Sequence, residues 1–250
     1  MPVEVILAVI VFGAFAVGAM TGFGSVVLAL SLGALITDIP SLVVILVPLT
    51  LVMNLPLAWR NRTHINWRLL FRIILPLMLG GMAIGYWLPQ FFEEQFLKIG
   101  FACFILLLSG QALIKIKRSL SPRSKEVSSA SLPSKRQPYV IGIAGIIHGM
   151  YATGGPLLVY ALAKANHGKA VFRATLVVVW LSLNSVLTLA YLIDGRLIAQ
   201  SASIVLLAPA VLAGAWVGNW LHHRVDEARF LQLVYGLLII VALILIVQSL

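Results

Sequence analysis

Apolar positions along this chain fall in long continuous runs rather than in the one-sided stripe of a soluble amphipathic helix. Segments 5–37, 39–59, 73–92, 99–114, 171–193 and 197–221 are almost free of charge. Most match or exceed the ~20 residues that a helix needs to cross ~30 Å of hydrocarbon. The run 99–114 is short, and it is predicted to begin near Phe96 with the Lys98 ammonium reaching back to the interface. The pattern predicts an all-α polytopic membrane protein.

The runs also repeat. Gly18-Ala19-Met20-Thr21-Gly22-Phe23-Gly24-Ser25 answers to Gly149-Met150-Tyr151-Ala152-Thr153-Gly154-Gly155-Pro156, with the outer glycines six apart in both. Asn54 falls opposite Asn184, and Pro76-x4-Gly81-x3-Gly85-x2-Leu88 recurs as Pro209-x4-Gly214-x3-Gly218-x2-Leu221. A duplicated half that opens on glycine-broken apolar sequence is the pattern of a secondary transporter. It divides the chain into an N-terminal repeat 1–114, a linker 115–138 and a C-terminal repeat 139–250.

Composition fixes the solvent. At 61% hydrophobic and 10% charged residues, the chain has too little polar surface to coat a water-soluble particle. Its formal charge of +10 is distributed by membrane topology, so lipid is the expected partner surface and nucleic acid is not. Residues 1–59 contain no Lys or Arg, and the basic residues cluster in 60–72, 115–136, 164–173 and 224–229. With these clusters cytoplasmic, only Lys98 and Arg196 of the 18 Lys and Arg lie outside, beside Asp38, Glu93, Glu94 and Asp194. That is the positive-inside bias.

Segment 139–163 then begins and ends on the inside, and its 25 residues are too few for two crossings. It is predicted to be a re-entrant pair of half-helices turning at 152–156, and 5–36 to enter from the outside and turn near 21–25. Each half becomes one hairpin plus three full spans, an odd number, so the repeats have inverted topology and both termini lie outside. A parallel layout would move Lys164, Lys169, Arg173, Arg224 and Arg229 outside while bringing in only Arg196, and the charge rule disfavours it.

The linker is rich in serine and basic residues and reads as a flexible cytoplasmic tether. The N-terminal Met-Pro-Val-Glu lacks a basic signal region, and no cleavage is expected. Cys103 is the sole cysteine, so no internal disulfide or cysteine-based metal site is expected, and it reads as a small packing residue.

Candidate chemistry lies where backbone is freed inside the membrane. A helix broken at glycine presents uncapped N–H groups and about half a positive charge at the start of its second arm. Two such N-termini would form an anion site without a buried Lys or Arg. Gly22 and Gly24 in one break, Gly154 and Gly155 in the other, permit close approach, and Pro156 fits a first helical turn. Thr21, Ser25 and Thr153 place hydroxyls beside the breaks. These residues serve either an anion or tight helix packing and local hydrogen bonds.

Asn54 and Asn184 either line the cavity or fasten helices. His148, the only histidine inside an apolar segment, either meets the anion or carries a proton, or else bonds a freed carbonyl. Tyr151 is placed to shape the cavity. Arg173, just after the second hairpin, either attracts the anion or anchors the topology.

All eight Asp and Glu fall at segment ends or in loops. Cation transporters and carboxylate proton relays usually hold a carboxylate mid-membrane, so an anionic substrate fits better. No ATP-binding Gly-x4-Gly-Lys-[Ser/Thr] occurs. No nucleophile, base and orienting group are spaced for catalysis, so neither an enzyme nor a cofactor is expected.

The order of a Gly-rich hairpin, a span, a basic turn followed by Ile65-Asn66-Trp67-Arg68, and a Pro/Gly-patterned helix, all repeated after a basic linker, resembles the TauE/SafE (sulfite exporter, TSUP) family. The second half carries the likeness more sharply, through Thr153-Gly154-Gly155-Pro156-Leu157-Leu158-Val159-Tyr160 and Phe172-Arg173-Ala174-Thr175. The resemblance covers nearly the whole chain. It implies movement of sulfite, sulfoacetate or related sulfur-containing or organic anions across a bacterial inner membrane. The first half departs from the family pattern of three successive glycines followed by a proline. Phe23 interrupts the glycines, and Leu28-Ala29-Leu30 lacks the proline, so the first break is expected to be narrowed or reshaped.

Residues and resemblance together predict an alternating-access anion transporter that holds an oxyanion between the two breaks. An anion channel lined by the same hairpins is the alternative. Proton or ion coupling and a homo-oligomer are equally compatible with the sequence.

Overall fold

A computed structural model of the chain describes residues 3–21, 24–60, 62–119, 136–162, 169–221 and 227–250, without the side chains of 21, 115–119, 169–170, 173 and 227–231. Regular structure among the described residues is helical throughout. The first half contains α1 (Val3–Thr21), α2 (Ser25–Gly33), α3 (Ile39–Arg60), a rod made of α4 (Trp67–Leu69), a π turn (Leu70–Ile74) and α5 (Leu75–Trp87), and then α6 (Glu94–Ser119). The second half contains α7 (Gln137–Tyr151), α8 (Gly155–Leu162), α9 (Lys169–Ile193), α10 (Arg196–Ala199), α11 (Ser201–Leu221) and α12 (Glu227–Gln248). The predicted linker 115–138 lies largely outside the described residues. Among the described residues, six stretches are long and apolar enough to cross a membrane: Val3–Met20, Ile39–Arg60, Trp67–Phe91, Glu94–Ile114, Ala174–Ile193 and Ser201–Leu221.

Local chemistry sets the helix starts. Asp38 Oδ2 accepts from Ser41 N–H at 2.8 Å at the start of α3, and Asn66 Oδ1 accepts from Leu69 N–H at 3.0 Å to open α4. Each satisfies an N–H that the first turn leaves without a partner. Pro76 brings no N–H, and its ring crowds the carbonyl four residues back. Just before it the ladder widens into the π turn, with Leu75 N–H donating to Leu70 O.

Both glycine-rich segments double back. Gln137 Nε2 donates to Ala161 O at 3.0 Å, closing the open end of the second hairpin. In the first, a Cβ built on Gly33 would stand 3.5 Å from Leu7 Cδ1 and 2.9 Å from Leu42 Cδ1, which places the end of α2 beside the starts of α1 and α3. The arms are unequal. The outgoing arms have 19 and 15 residues and the returning arms 9 and 8. At 1.5 Å per residue the outgoing arms run about 28 Å and 22 Å, so only the returning arms are half-helices.

The outgoing arms reach that depth because each is covered along its length by a helix of the other half. A Cβ on Gly81 or Gly85 of α5 would strike the carbonyl oxygens of Gly142 or Ile146 of α7. A Cβ on Gly214 or Gly218 of α11 would strike those of Phe12 or Ala16 of α1. Small residues let membrane helices approach to backbone contact, where dispersion and weak polar contacts replace the hydrophobic effect. The repeated Pro-Gly-Gly pattern therefore packs reciprocally, each copy on the hairpin of the other half. The remaining long helices also meet across the halves, α3 with α9 and α6 with α12.

Candidate functional site

The break in the second hairpin spans Ala152 to Gly154, between α7 and α8. Ala152 ends α7 in the left-handed conformation, φ 53° and ψ 25°, and its N–H donates to His148 O at 2.7 Å. Gly154 begins the return. A Cβ there would meet His148 Cβ at 2.9 Å and would also strike the Ala144 carbonyl oxygen. The first intrahelical bond of α8 runs from Leu158 N–H to Gly154 O at 3.1 Å. Pro156 has no N–H, so Gly155 and Leu157 carry the N–H groups that the helix leaves without an intrahelical partner.

His148 is buried and stands in a polar chain that joins the two halves. Its Nε2 lies 3.0 Å from Asn184 Oδ1. Asn184 Nδ2 donates to Thr50 Oγ1 at 2.7 Å, and Thr50 Oγ1 donates to Val47 O at 2.7 Å. With the amide N–H spent on Thr50, Asn184 Oδ1 is an acceptor, so His148 Nε2 carries the proton it donates. The other ring nitrogen, Nδ1, is buried without a hydrogen-bond partner, and so is Thr153 Oγ1. The Trp180 ring stacks on the imidazole with centroids 5.6 Å apart, and a Cβ on Gly155 would lie 3.3 Å from the same indole.

The sequence-predicted residues divide. His148, Thr153, Gly154, Gly155, Pro156 and Asn184 come together at this break. Tyr151 spends its hydroxyl on Leu97 O at 3.1 Å and packs on Phe101, tying α7 to α6. Asn54 is buried in α3 one turn beyond Thr50, and Thr50 is the residue that bonds Asn184. Gly24, at φ 89°, is the N-cap of α2, and Ser25 is buried against Gly18. Gly22 and Phe23 lie outside the described residues, as do the side chains of Thr21 and Arg173. The repeat register is one residue off the glycine alignment. Ser25 and Gly155 open the returning arms 130 residues apart, the same interval as Asn54 to Asn184, so His148, not Gly149, occupies the place of Gly18.

A family model described as Sulfite exporter TauE/SafE matches residues 6–245. The chain belongs to the TauE/SafE family. No curated protein and no solved structure matches it. The family consists of membrane transporters of sulfite and related sulfur anions, and the six membrane-length helices of this TauE/SafE chain fit that assignment.

A second polar cluster of this TauE/SafE protein escapes sequence reasoning. Tyr86 OH donates to Asp194 Oδ2, and Arg196 Nε and Nη2 reach the same oxygen at 2.6 Å and 2.5 Å. The guanidinium carbon lies 4.8 Å from the Tyr86 ring centroid and 4.9 Å from that of Tyr191. Burial pushes the Asp194 carboxyl up, but hydrogen bonds from Arg196 and Tyr86 outweigh it and hold it below the usual carboxylate range. A carboxylate held low stays ionised as pH falls through the ordinary range and releases its partner only below it. Among the described residues, no group of three potential metal ligands occurs.

Proposed function

We propose that the chain is a secondary transporter that carries a small sulfur oxyanion, sulfite or a sulfonate, by alternating access between two inverted repeats. The reciprocal packing supports the inversion. α1 runs parallel to α11 and α7 parallel to α5, while Asn66 N–H, at the start of α4, donates to Thr175 Oγ1 near the start of α9. The basic residues 60–72 and 169–173 thus share one end, and Tyr86 and Asp194 share the other. We assign the basic end to the cytoplasm.

One observation carries the substrate site. Four buried side-chain polar atoms among the described residues lack a hydrogen-bond partner, and two of them, His148 Nδ1 and Thr153 Oγ1, stand beside the same helix break. A buried polar atom without a partner costs about 1–3 kcal/mol, which a ligand that pairs it recovers. Thr153 OH and the amides of Gly155 and Leu157 supply donors to anionic oxygens, and the start of α8 supplies partial positive charge. Neutral His148 offers a lone pair, matched by the O–H of a monoprotonated oxyanion such as hydrogen sulfite. Gly24 and Ser25 of the first hairpin, with Asn54, are assigned to the facing wall.

Labelled sulfite flux into proteoliposomes tests the reading. Saturable uptake, competed by sulfoacetate or thiosulfate and stimulated by unlabelled anion on the far side, is the expected result. Flux that stays linear in concentration would replace the carrier with a channel. Absence of flux from folded protein would sink the sulfur-anion assignment.

A further inference from the structure

The cluster around Arg196 points to a second anion site, and we infer that it is the receiving site at the non-cytoplasmic mouth. Arg196 lines a cleft whose other walls are Pro40, Tyr86, Pro89 and Tyr191, with Gly149 and Tyr151 at the end of α7. The last turn of the helix that carries His148 therefore lines this cleft, which places an anion held here beside the break. The inference rests on the transport reading for its purpose, though not for its test.

The guanidinium is built to receive an oxyanion. Tyr86 and Tyr191 cover it, which holds its plane and leaves its N–H edge as the binding face. That edge is occupied by Asp194, whose Oδ2 takes both Nε and Nη2 while Oδ1 accepts the Arg196 backbone N–H at 3.0 Å. Asp194 thus fills the fork as a carboxylate ligand would. Its position is only two residues away, and Tyr86 of the opposite half steadies it. Asp194 engages both nitrogens of the fork through one oxygen, and a sulfonate or sulfite has two oxygens to set against them, one for each. Competition from a tethered carboxylate keeps the site weak, which suits a group that must hand its anion onward.

Arginine-selective modification by a membrane-impermeant phenylglyoxal, added to full-length protein in proteoliposomes, tests this, with the extent at Arg196 read by peptide mass spectrometry. Methanesulfonate is the probe anion, because sulfite adds to the reagent. Methanesulfonate is expected to slow modification of Arg196 saturably, and Asp194→Asn to lower the concentration required about fivefold, the scale of a partly exposed ion pair. Tyr86→Phe, which loosens Asp194 without changing charge, should shift it in the same direction by less, and it carries the comparison if Asp194→Asn fails to fold. Modification of Arg196 that is indifferent to methanesulfonate in wild type and variants would overturn the site and leave an ion pair that only joins the halves. Protection without sulfite flux would sink the sulfur-anion assignment of the transport reading and keep the site; flux without protection would do the reverse.

Discussion

Gly18 in the first hairpin and His148 in the second occupy the same place, seven residues before the returning arm opens at Ser25 and Gly155. In the first hairpin the arms can touch because Gly18 has no side chain: a Cβ there would lie 2.6 Å from Ser25 Cβ. In the second, the close approach falls on the returning arm, at Gly154, whose Cβ would press on His148 Cβ at 2.9 Å, whereas its counterpart Gly24 faces open space. The glycine that the close approach requires lies on the outgoing arm in the first hairpin and on the returning arm in the second. Supplying it from the returning arm frees the outgoing arm for an imidazole. The same exchange recurs around it, since Trp180 stands where the first half has Thr50 and Ala152 where it has Gly22. The two hairpins share a plan of long outgoing and short returning arms and differ in what they hold and in the described left-handed residue, Gly24 in the first and Ala152 in the second.

The largest effects should fall on what they share. Gly85→Ala and Gly218→Ala each drive a methyl group into a backbone carbonyl of the opposite half's hairpin, which no rotamer change relieves. Each is expected to destabilise by about 3 kcal/mol, the upper part of the usual overpacking range, read as thermal unfolding in detergent. A large loss at one site with none at the other would break the equivalence of the hairpins.

The difference is sharpened by exchanging their residues. His148→Gly gives the second hairpin the first one's residue, so it should fold with a loss of about 1–2 kcal/mol from the hydrogen bond to Asn184. Sulfite flux should fall at least about tenfold, as expected when a group that meets the anion is removed. Gly18→His should instead fail to fold, because Ser25 fills the space. Flux near wild type in His148→Gly would remove the imidazole from the substrate site. The asparagines make a milder contrast. Asn184→Leu breaks contacts to both His148 and Thr50 and should cost about 1 kcal/mol, the scale of interhelical hydrogen bonds in membranes, with Asn54→Leu costing less. Equal losses would mean that the polar chain through Thr50 is not what holds α3 to α9.

Much of this was legible in the residues. Charge-free runs of membrane length gave the spans, and glycine punctuation marked both turns, because each reflects a local requirement on one stretch of chain. The repeated Pro-Gly-Gly helix was visible, but its reciprocal use was not, since nothing local says which backbone a glycine faces. Asn184 stands out in the sequence but its partner does not: Thr50 and Asn54 lie on one face of α3, four residues apart, and the crossing with α9 decides which one meets it. Trp180, Asn184 and Thr188 likewise follow each other at intervals of four along α9, a spacing that puts them on one face. The Tyr86, Asp194 and Arg196 cluster joins residues 108 apart in the chain, and its members sat in segment ends where charge is ordinary.

The smallest predicted effect isolates the turn itself. Ala152 is the only described non-glycine residue with positive φ, a conformation that costs an L-residue roughly 1–2 kcal/mol. Its counterpart in the first hairpin is Gly22. Ala152→Gly removes that strain but gives the unfolded chain more freedom, which returns about 0.4–1 kcal/mol. The net expectation is a gain of about 0.5 kcal/mol in thermal unfolding. Sulfite flux should be unchanged, because Thr153, His148 and the start of α8 keep their places. A gain in stability accompanied by slower flux would show that the second break works under strain the first does not need, making backbone tension a further difference between the hairpins.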